Sequence, residues 1–182
     1  MLISTKNDLK KAAAIIRCGG VIVYPTDTAY ALGGFFDSQK TIKKIMKIKG
    51  RKDEKFTLIA SSLNQVQKYF KLNALEKKLA KKYWPGPLSL AVTPKFAVRV
   101  PNNKVALALA RCAGRPLIAT SANLSGNKTP YSVTEVIKEF EGREFQPDLI
   151  IGKGKLKKIK TSTIVKAKNE KIELIRPGAI KI

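Results

Sequence analysis

The stretch VIVYPTDTAYALG, residues 21–33, joins an apolar run to a turn that is rich in hydroxyl and carboxylate groups. The run at 21–24 is typical of a buried strand, and the glycines at 19–20 end a helix that is predicted over 7–18. Polar groups at 25–28 then follow the carboxyl end of that strand, where open α/β sheets bind ligands. An alternative is a turn in which these side chains bond their own backbone. The residues alone leave both interpretations open.

Predicted helices and strands alternate along the chain around this stretch. The helices show apolar residues at helical spacing, and the strands are short apolar runs. This alternation indicates one α/β domain, residues 1–182, and the short strands near the end favour a mixed parallel and antiparallel sheet. The predicted helices are 7–18, 38–49, 63–70, 73–83, 105–113 and 132–140. The predicted strands are 21–24, 57–60, 88–92, 98–100, 117–119, 149–151, 163–165 and 172–175.

The composition excludes several kinds of site. The chain has 182 residues and no histidine, so a Ser-His-Asp triad, a histidine general base and a histidine-containing zinc site are excluded. Lys and Arg number 36 against 13 Asp and Glu, and the net charge of +23 predicts polyanionic partners such as nucleotides or RNA. No run approaches the roughly 20 apolar residues of a membrane span, and the N-terminus lacks a signal peptide's apolar core. A cytoplasmic protein without membrane contact is therefore expected.

The cysteines and acidic residues predict no metal site. Cys18 and Cys112 are too few for a four-cysteine site, and the acidic residues form no cluster in the sequence. Both cysteines lie in apolar stretches, which predicts buried structural thiols.

Lys49 departs from the pattern of its predicted helix. It lies seven residues after Ile42 and so falls on the apolar face, whereas most lysines of this helix lie on the opposite face. Its ammonium should therefore point toward the body of the protein. Arg51 and Lys55 follow closely, and the three cations together could clamp a triphosphate. The alternative is that they only cap the C-terminus of the helix.

A second polar segment, TSAN at 120–123, also follows an apolar strand, and Ser125 and Gly126 extend it. Such a turn can present N–H groups and hydroxyl or amide side chains to phosphate or carboxylate oxygens. A turn satisfied by its own backbone is the alternative. The segment WPGPLSL, 84–90, is typical of a rigid corner, from which Ser89 could face a ligand.

The run GKGKLKKIK, 152–160, holds five lysines without an acidic residue. It is interpreted either as a solvated surface or as an edge that contacts RNA phosphates, because no aromatic residues for base stacking are interleaved with the lysines. The chain contains neither a P-loop nor a strand-anchored GxGxxG motif, so these modes of nucleotide binding are unsupported.

The segments YPTDTAYALG, KGR, WPGPLSL, RVP, TSANLSG, KTSTIV and RPGAI occur in this order. In this combination they resemble the TsaC/YrdC family, the YrdC-type threonylcarbamoyl-AMP synthases, in the short form without an extra C-terminal domain. The resemblance runs from about Leu9 to Ile182. It implies a twisted, mixed α/β sheet around a concave basic cleft. It also implies a reaction in which L-threonine, bicarbonate or CO2, and ATP give threonylcarbamoyl-AMP and pyrophosphate, the first step toward N6-threonylcarbamoyladenosine in tRNA.

The resemblance also implies roles for individual residues. Lys49 and Arg51 match the family's Lys-x-Arg motif and would be the catalytic pair, and Mg²⁺ would be held mainly by the ATP phosphates. Other proteins of the threonylcarbamoylation pathway would be partners. The implied ATP contacts are Lys49, Arg51, Lys55, Ser89, Ser121, Asn123, Thr129 and Arg176. The implied threonine contacts are Thr28, Ala119 and Ser162.

Two other functions fit the same features. One is a non-catalytic module that binds tRNA or double-stranded RNA through the basic cleft. The other is a carbamoyl-transfer domain of the same fold that acts on a different acceptor.

Overall fold

The computed structural model describes residues 6–152 and 154–182 of the chain. It contains the alternating helices and strands that the sequence predicts, and a hairpin of two longer strands near the end. The helices are α1 (Lys6–Arg17), α2 (Gln39–Lys49), α3 (Leu63–Tyr69), α4 (Ala74–Tyr83), α5 (Lys104–Ala113) and α6 (Val133–Phe140). The strands are β1 (Ile22–Pro25), β2 (Tyr30–Gly33), β3 (Phe56–Ile59), β4 (Leu88–Ala91), β5 (Phe96–Arg99), β6 (Leu117–Ile118), β7 (Thr120–Ser121), β8 (Leu149–Ile150), β9 (Thr163–Lys168) and β10 (Lys171–Arg176).

The strands form two sheets. The four-stranded sheet has the order β7-β2-β1-β8, and the six-stranded sheet has the order β10-β9-β4-β5-β3-β6. The pairs β1–β8, β3–β5 and β4–β9 are parallel, and the remaining neighbours are antiparallel. The predicted α/β class and mixed strand pairing are confirmed.

The prediction of one sheet is wrong, because residues 117–121 pass from one sheet to the other. β6 pairs with β3, whereas β7 pairs with β2. Ala119 lies at the break, and its N–H donates to the carbonyl of Thr57 over 2.8 Å. Sequence reasoning also missed β2, because its four residues follow directly on the polar turn and form part of the same motif.

The six-stranded sheet buries one face and leaves part of the other open. Val165 and Ala167 of β9 pack with Leu79 and Ala80 of α4 in an apolar cluster. Because side chains alternate along a strand, Ile164 and Lys166 point to the other face, where they line a cavity. The sheet thus provides the cavity with a floor that rests on a packed core.

Helix α2 brings Lys49 to this cavity. Ser38 caps its N-terminus by accepting a hydrogen bond from the Thr41 N–H, and Gly50 ends it with φ of 60°. Such a left-handed conformation favours glycine. Ile42 and Ile45 are buried along one face, and Lys49 is buried with them. The predicted bounds of this helix and the inward direction of Lys49 are confirmed.

The predicted burial of the two thiols is wrong. Cys18 is exposed, and Cys112 is intermediate in exposure. α1 ends at Arg17, so Cys18 lies in the turn after the helix and not on its buried face. In the part of the chain that the structure describes, no helix is long and apolar enough to cross a membrane.

Candidate functional site

A cavity of about 940 Å³ lies between the two sheets and the loop at residues 121–127. Ten of the eleven residues that the resemblance assigns to substrates line it. Seven basic side chains and one acidic side chain, Glu173, contribute to the lining. The predicted residues in the lining are Thr28, Lys49, Arg51, Lys55, Ala119, Ser121, Asn123, Thr129, Ser162 and Arg176. The other basic residues there are Lys95, Arg99 and Lys166.

Lys49 is held at one end of the cavity by backbone carbonyls. Only 4% of the residue is exposed, and its Nζ donates hydrogen bonds of 2.7 Å to the carbonyls of Ser121 and Asn123. The pKa of Lys49 is lowered from 10.5 to about 8, mainly by burial and also by the charge of Arg51, while the charge of Glu139 partly opposes this change. Two of the three ammonium hydrogens are therefore committed to the loop, and one remains for a ligand.

Arg51 lies beside Lys49 in the same lining. Its Nη2 donates to the carbonyl of Lys55 over 2.7 Å, and its guanidinium lies over the ring of Phe56, 4.5 Å from the centroid. Burial lowers its pKa, and the carboxylate of Asp53 partly opposes that effect. These contacts fix the plane of the guanidinium, which suits it to bind phosphate oxygens through two N–H groups.

The loop at 121–127 forms the wall next to Lys49. Its link to α2 runs in both directions, because the Ser125 N–H also donates to the Lys49 carbonyl over 2.9 Å. Asn123 is buried, and its Nδ2 donates to the carbonyl of Asn127 over 2.6 Å. The predicted cluster of serine, asparagine and backbone groups therefore lies against the predicted cations.

A second end of the cavity lies around Arg99, at the other end of the β3–β5 pair from Arg51. Arg51 contacts Phe56 at the start of β3, whereas Arg99 pairs in register with Ile59 at the end of that strand. Arg99 forms a buried ion pair with Asp27, whose other oxygen accepts a 3.0 Å hydrogen bond from the Asn102 N–H. Its Nη2 donates to the hydroxyl of Thr28 over 3.1 Å. The Thr26 hydroxyl donates to the carbonyl of Ala29, which closes the turn at 26–29. The turn therefore bonds its own backbone, as the alternative interpretation predicts, and it also lines the cavity, where ligand binding stays a prediction.

Ser162 connects this end to the hairpin of β9 and β10. Arg176 donates through Nη2 to the carbonyl and hydroxyl of Ser162, over 2.8 and 3.1 Å. Partial burial and the charge of Arg99 both lower the pKa of Arg176. Ser89 is fully buried behind this group, where its hydroxyl donates to that of Ser162 over 2.9 Å. Ser89 does not belong to the cavity lining, so this geometry does not provide its expected direct contact with ATP.

Comparison with known proteins identifies the family. The family model Sua5_yciO_yrdC, described as "Telomere recombination", matches residues 14–178. The chain belongs to the Sua5/YciO/YrdC family. The Threonylcarbamoyl-AMP synthase of Pyrococcus abyssi is 32% identical over 96% of this chain, and that of Bacillus subtilis is 31% identical over 94%. The chain spans about half the length of these two relatives, 55% and 54%.

Solved structures of the Sua5/YciO/YrdC family share this fold. The structure of P. abyssi Sua5 complexed with L-threonine matches with a TM-score of 0.87 at 31% identity, over 98% of this chain and 57% of that one. The structure of Escherichia coli YciO matches with a TM-score of 0.83 at 29% identity, over 97% of this chain and 91% of that one. YciO is named an uncharacterized protein, so likeness across the family does not by itself fix an activity.

Sequence reasoning missed several residues of the cavity in this family member. Arg99 belongs to the RVP segment, which contributes to the resemblance, but no role was derived for it. It follows Ala97 on the same face of β5, while Val98 points into the core. The alternation of side chains along the strand could have indicated this, because it puts Arg99 on the face opposite to the apolar Val98. Thr57 and Lys166 occupy equivalent alternate positions on β3 and β9.

Unpaired polar atoms concentrate in the same place. Within residues 6–152 and 154–182, the buried side-chain atoms without a hydrogen-bond partner are Arg51 Nε, Arg99 Nε and Asn123 Oδ1. All three residues line the cavity. Leaving a buried polar group unpaired costs about 1 to 3 kcal/mol, so the described part of the chain bears this cost in the wall of the cavity.

Proposed function

We propose that this protein is an L-threonylcarbamoyladenylate synthase, a nucleotidyltransferase that forms threonylcarbamoyl-AMP and pyrophosphate from ATP, L-threonine and bicarbonate or CO2. The observation that carries the proposal is the cavity itself. At one end it holds the buried Lys49 and the half-buried Arg51, neither of which has a carboxylate within ion-pair distance among the described residues. At the other end Arg99 donates to the hydroxyl of Thr28. The P. abyssi synthase of the same family has been crystallised with L-threonine.

ATP binds with its phosphates at the Lys49 end in this proposal. The free ammonium hydrogen of Lys49 and the guanidinium of Arg51 point to the phosphate oxygens, and the loop at 121–127 contributes Ser121 and Asn123. Lys55 and Thr129 line the same cavity, and so does Arg176, which donates to Ser162. Cations that approach the transferring phosphorus stabilise the charge that builds up as pyrophosphate leaves.

Threonine binds at the Arg99 end, with Thr28, Ala119 and Ser162 around it. Its amine attacks CO2, an N–C bond forms, and the nitrogen loses a proton to give a carbamate. A carbamate oxygen then attacks the α-phosphorus of ATP, and the bond to the bridging oxygen breaks with release of pyrophosphate. The protein acts by holding these groups together and by neutralising charge, which needs no covalent nucleophile and no histidine.

Mg²⁺ enters with ATP in this proposal, and the phosphates hold most of its coordination sites. Among the described residues, no group of three or more Cys, Asp or Glu side chains could hold an ion. The ion would neutralise phosphate charge when bound. The product, threonylcarbamoyl-AMP, then passes to other proteins of the tRNA threonylcarbamoylation pathway in the cytoplasm.

The test is to measure pyrophosphate release from ATP with and without L-threonine and bicarbonate, and to detect threonylcarbamoyl-AMP by mass spectrometry. We expect release to require both co-substrates and to yield the adduct. Lys49→Ala and Arg51→Ala should abolish release while a folded protein remains. Undiminished product from both variants would contradict the assignment of the phosphate end, and a wild-type protein that binds ATP without forming the adduct would contradict the synthase.

A second candidate is binding of tRNA or double-stranded RNA. Lys157, Lys158 and Lys160 are exposed, and they lie outside the cavity lining. Lys153 of the same run lies outside the described residues. RNA binding predicts an affinity that falls steeply with salt, and substitution of these three lysines by Gln should reduce that slope. If the lysine variant retains synthase activity and loses RNA affinity, the two functions are separate.

A further inference from the structure

Glu139 contacts the wall of the phosphate end from outside the cavity. It lies on α6, and its Oε1 accepts hydrogen bonds from the Leu124 N–H over 2.8 Å and from the Asn127 Nδ2 over 2.7 Å. Both donors belong to the loop at 121–127. Glu139 itself is absent from the cavity lining, so it does not touch a ligand there.

The loop is therefore anchored on two sides. On the cavity side, Lys49 binds the carbonyls of Ser121 and Asn123. On the other side, Glu139 binds Asn127, whose carbonyl in turn accepts the Nδ2 of Asn123. This chain of contacts leaves Asn123 Oδ1 buried and unpaired in the cavity wall. The orientation of that amide thus depends on Asn127 and, through it, on Glu139.

The charge of Glu139 also acts on Lys49. The acidic group that opposes the lowering of the Lys49 pKa is Glu139, and the cationic group that reinforces it is Arg51. In the described part of the chain, Glu139 takes part in no ion pair within 4 Å. Its carboxylate therefore offsets the repulsion between Lys49 and Arg51 without neutralising either as a direct partner, which leaves both available to an anion.

We propose that Glu139 is a positioning residue for the triphosphate. Its hydrogen bonds fix the loop at 121–127, and its charge stabilises the ammonium of Lys49 on the other side of that loop. This inference rests on the proposed function for the identity of the anion, and it extends the site to a residue that none of the sequence motifs contains.

The test uses three variants that separate hydrogen bonding from charge. Glu139→Gln keeps the size of the side chain and removes the charge. Asn127→Ala removes the amide contact and keeps the charge. Glu141→Gln is the matched control, because Glu141 is exposed at the end of the same helix. For each variant, kcat and the KM values for ATP and threonine are measured from about pH 7 to about pH 9.5, around the Lys49 transition.

Glu139→Gln should raise the KM for ATP about tenfold and leave the KM for threonine unchanged, because a charge-assisted hydrogen bond and a nearby charge are lost at one end only. It should also shift the alkaline limb of the pH profile of kcat/KM for ATP to lower pH, by about half a pH unit or more, because removal of a negative charge favours neutral Lys49. Asn127→Ala should raise the KM for ATP about threefold to tenfold without moving that limb. Glu141→Gln should behave like the wild type.

An unchanged KM for ATP and an unmoved limb in Glu139→Gln would overturn the inference. So would equal rises in both KM values with a lower Tm, because that pattern indicates a purely structural role. If the wild type forms no threonylcarbamoyl-AMP, the proposed function fails, and calorimetric titration with ATP then tests Glu139 separately. A tenfold loss of ATP affinity in Glu139→Gln alone would support the positioning role in that case, and equal affinities would refute it.

Discussion

The two ends of the cavity bury their cations in different surroundings. At the end that we propose for threonine, Arg99 pairs with the carboxylate of Asp27, and the side chains are 4% and 10% exposed. At the end that we propose for the phosphates, Lys49 donates to two carbonyl groups and has no carboxylate within ion-pair distance in the described structure. Carbonyl dipoles orient an ammonium but do not cancel its charge.

This difference matches the proposed ligands. A triphosphate carries several negative charges, so cations that keep their net charge bind it strongly. Threonine carries one carboxylate, and a guanidinium that is already paired with a carboxylate can orient it through an N–H group that Asp27 and Thr28 do not use. Among the described residues, the buried ammonium of Lys49 therefore has no carboxylate partner in the absence of ATP, whereas the buried guanidinium of Arg99 has one. The predictions that follow probe this contrast.

Asp27→Ala should have the largest effect on stability. It leaves the Arg99 guanidinium buried without its partner, and breaking a buried ion pair costs about 3 to 5 kcal/mol. Lys49→Met should cost less, about 1 to 3 kcal/mol, because the loss of two hydrogen bonds is offset by removal of an unpaired buried charge. Urea unfolding of both variants measures the difference. Equal losses at the two ends would contradict the contrast.

ATP affinity should depend on pH through Lys49. Because its pKa is about 8 in the folded protein, we expect the affinity to fall above that pH as the ammonium loses its proton. The loss approaches about tenfold per pH unit if the charge is essential. Calorimetric titration across this range measures it. Lys49→Met is the control, and its weaker affinity should vary much less with pH.

The stability contributed by Lys49 should change in the opposite direction. Its folded pKa of about 8 lies below the ordinary value of 10.5, so between these values the unfolded chain binds more protons and the contribution of Lys49 to stability rises with pH. Urea unfolding of the wild type and Lys49→Met at several pH values isolates this contribution. A wild-type advantage that falls through this window would be inconsistent with a desolvated ammonium.

Ser89→Ala should have a smaller effect that is confined to the threonine end. The variant removes a hydrogen bond to the Ser162 hydroxyl, which is worth about 1 kcal/mol, so the KM for threonine should rise about threefold to tenfold. The KM for ATP should not change, because Ser89 lies outside the cavity lining. Steady-state kinetics decide the matter, and a selective rise in the KM for ATP would restore the direct contact that the resemblance implies.

Glu170→Gly should have the smallest effect. Glu170 lies in the turn of the β9–β10 hairpin with φ of 58°, in the left-handed region that disfavours side chains. Glycine at this position should stabilise the protein by about 0.5 to 1 kcal/mol. Activity should stay unchanged because the turn lies outside both ends. Thermal unfolding measures the gain, and a lower Tm would show that the Glu170 side chain makes a stabilising contact.

Local patterns in the sequence predicted the parts of the site that lie on regular elements. Helical spacing placed Lys49 on the buried face of α2, and the glycine after it ended the helix as expected. The hydroxyl groups of 26–28 followed a buried strand and reached the cavity. The resemblance then collected residues that are far apart in the sequence, and the structure brings ten of the eleven into one lining.

The parts that sequence reasoning missed depend on contacts between distant segments. Nothing local to Glu139 indicates that its carboxylate meets the loop at 121–127. Likewise, the sequence allows Ser89 to contact a ligand. Only the pairing of β4 with β9 shows that Ser89 lies behind Ser162. The division into two sheets depends on how 117–121 is shared between β3 and β2, which short apolar runs cannot specify.

The most direct test of the two-ended cavity is the same substitution at each end. Arg51→Lys and Arg99→Lys both keep a positive charge and remove the planar fork of the guanidinium. Steady-state KM values for ATP and threonine are measured for both variants. We predict that Arg51→Lys raises the KM for ATP about tenfold with little change for threonine, and that Arg99→Lys does the reverse. Equal rises of both KM values in both variants would contradict separate binding ends.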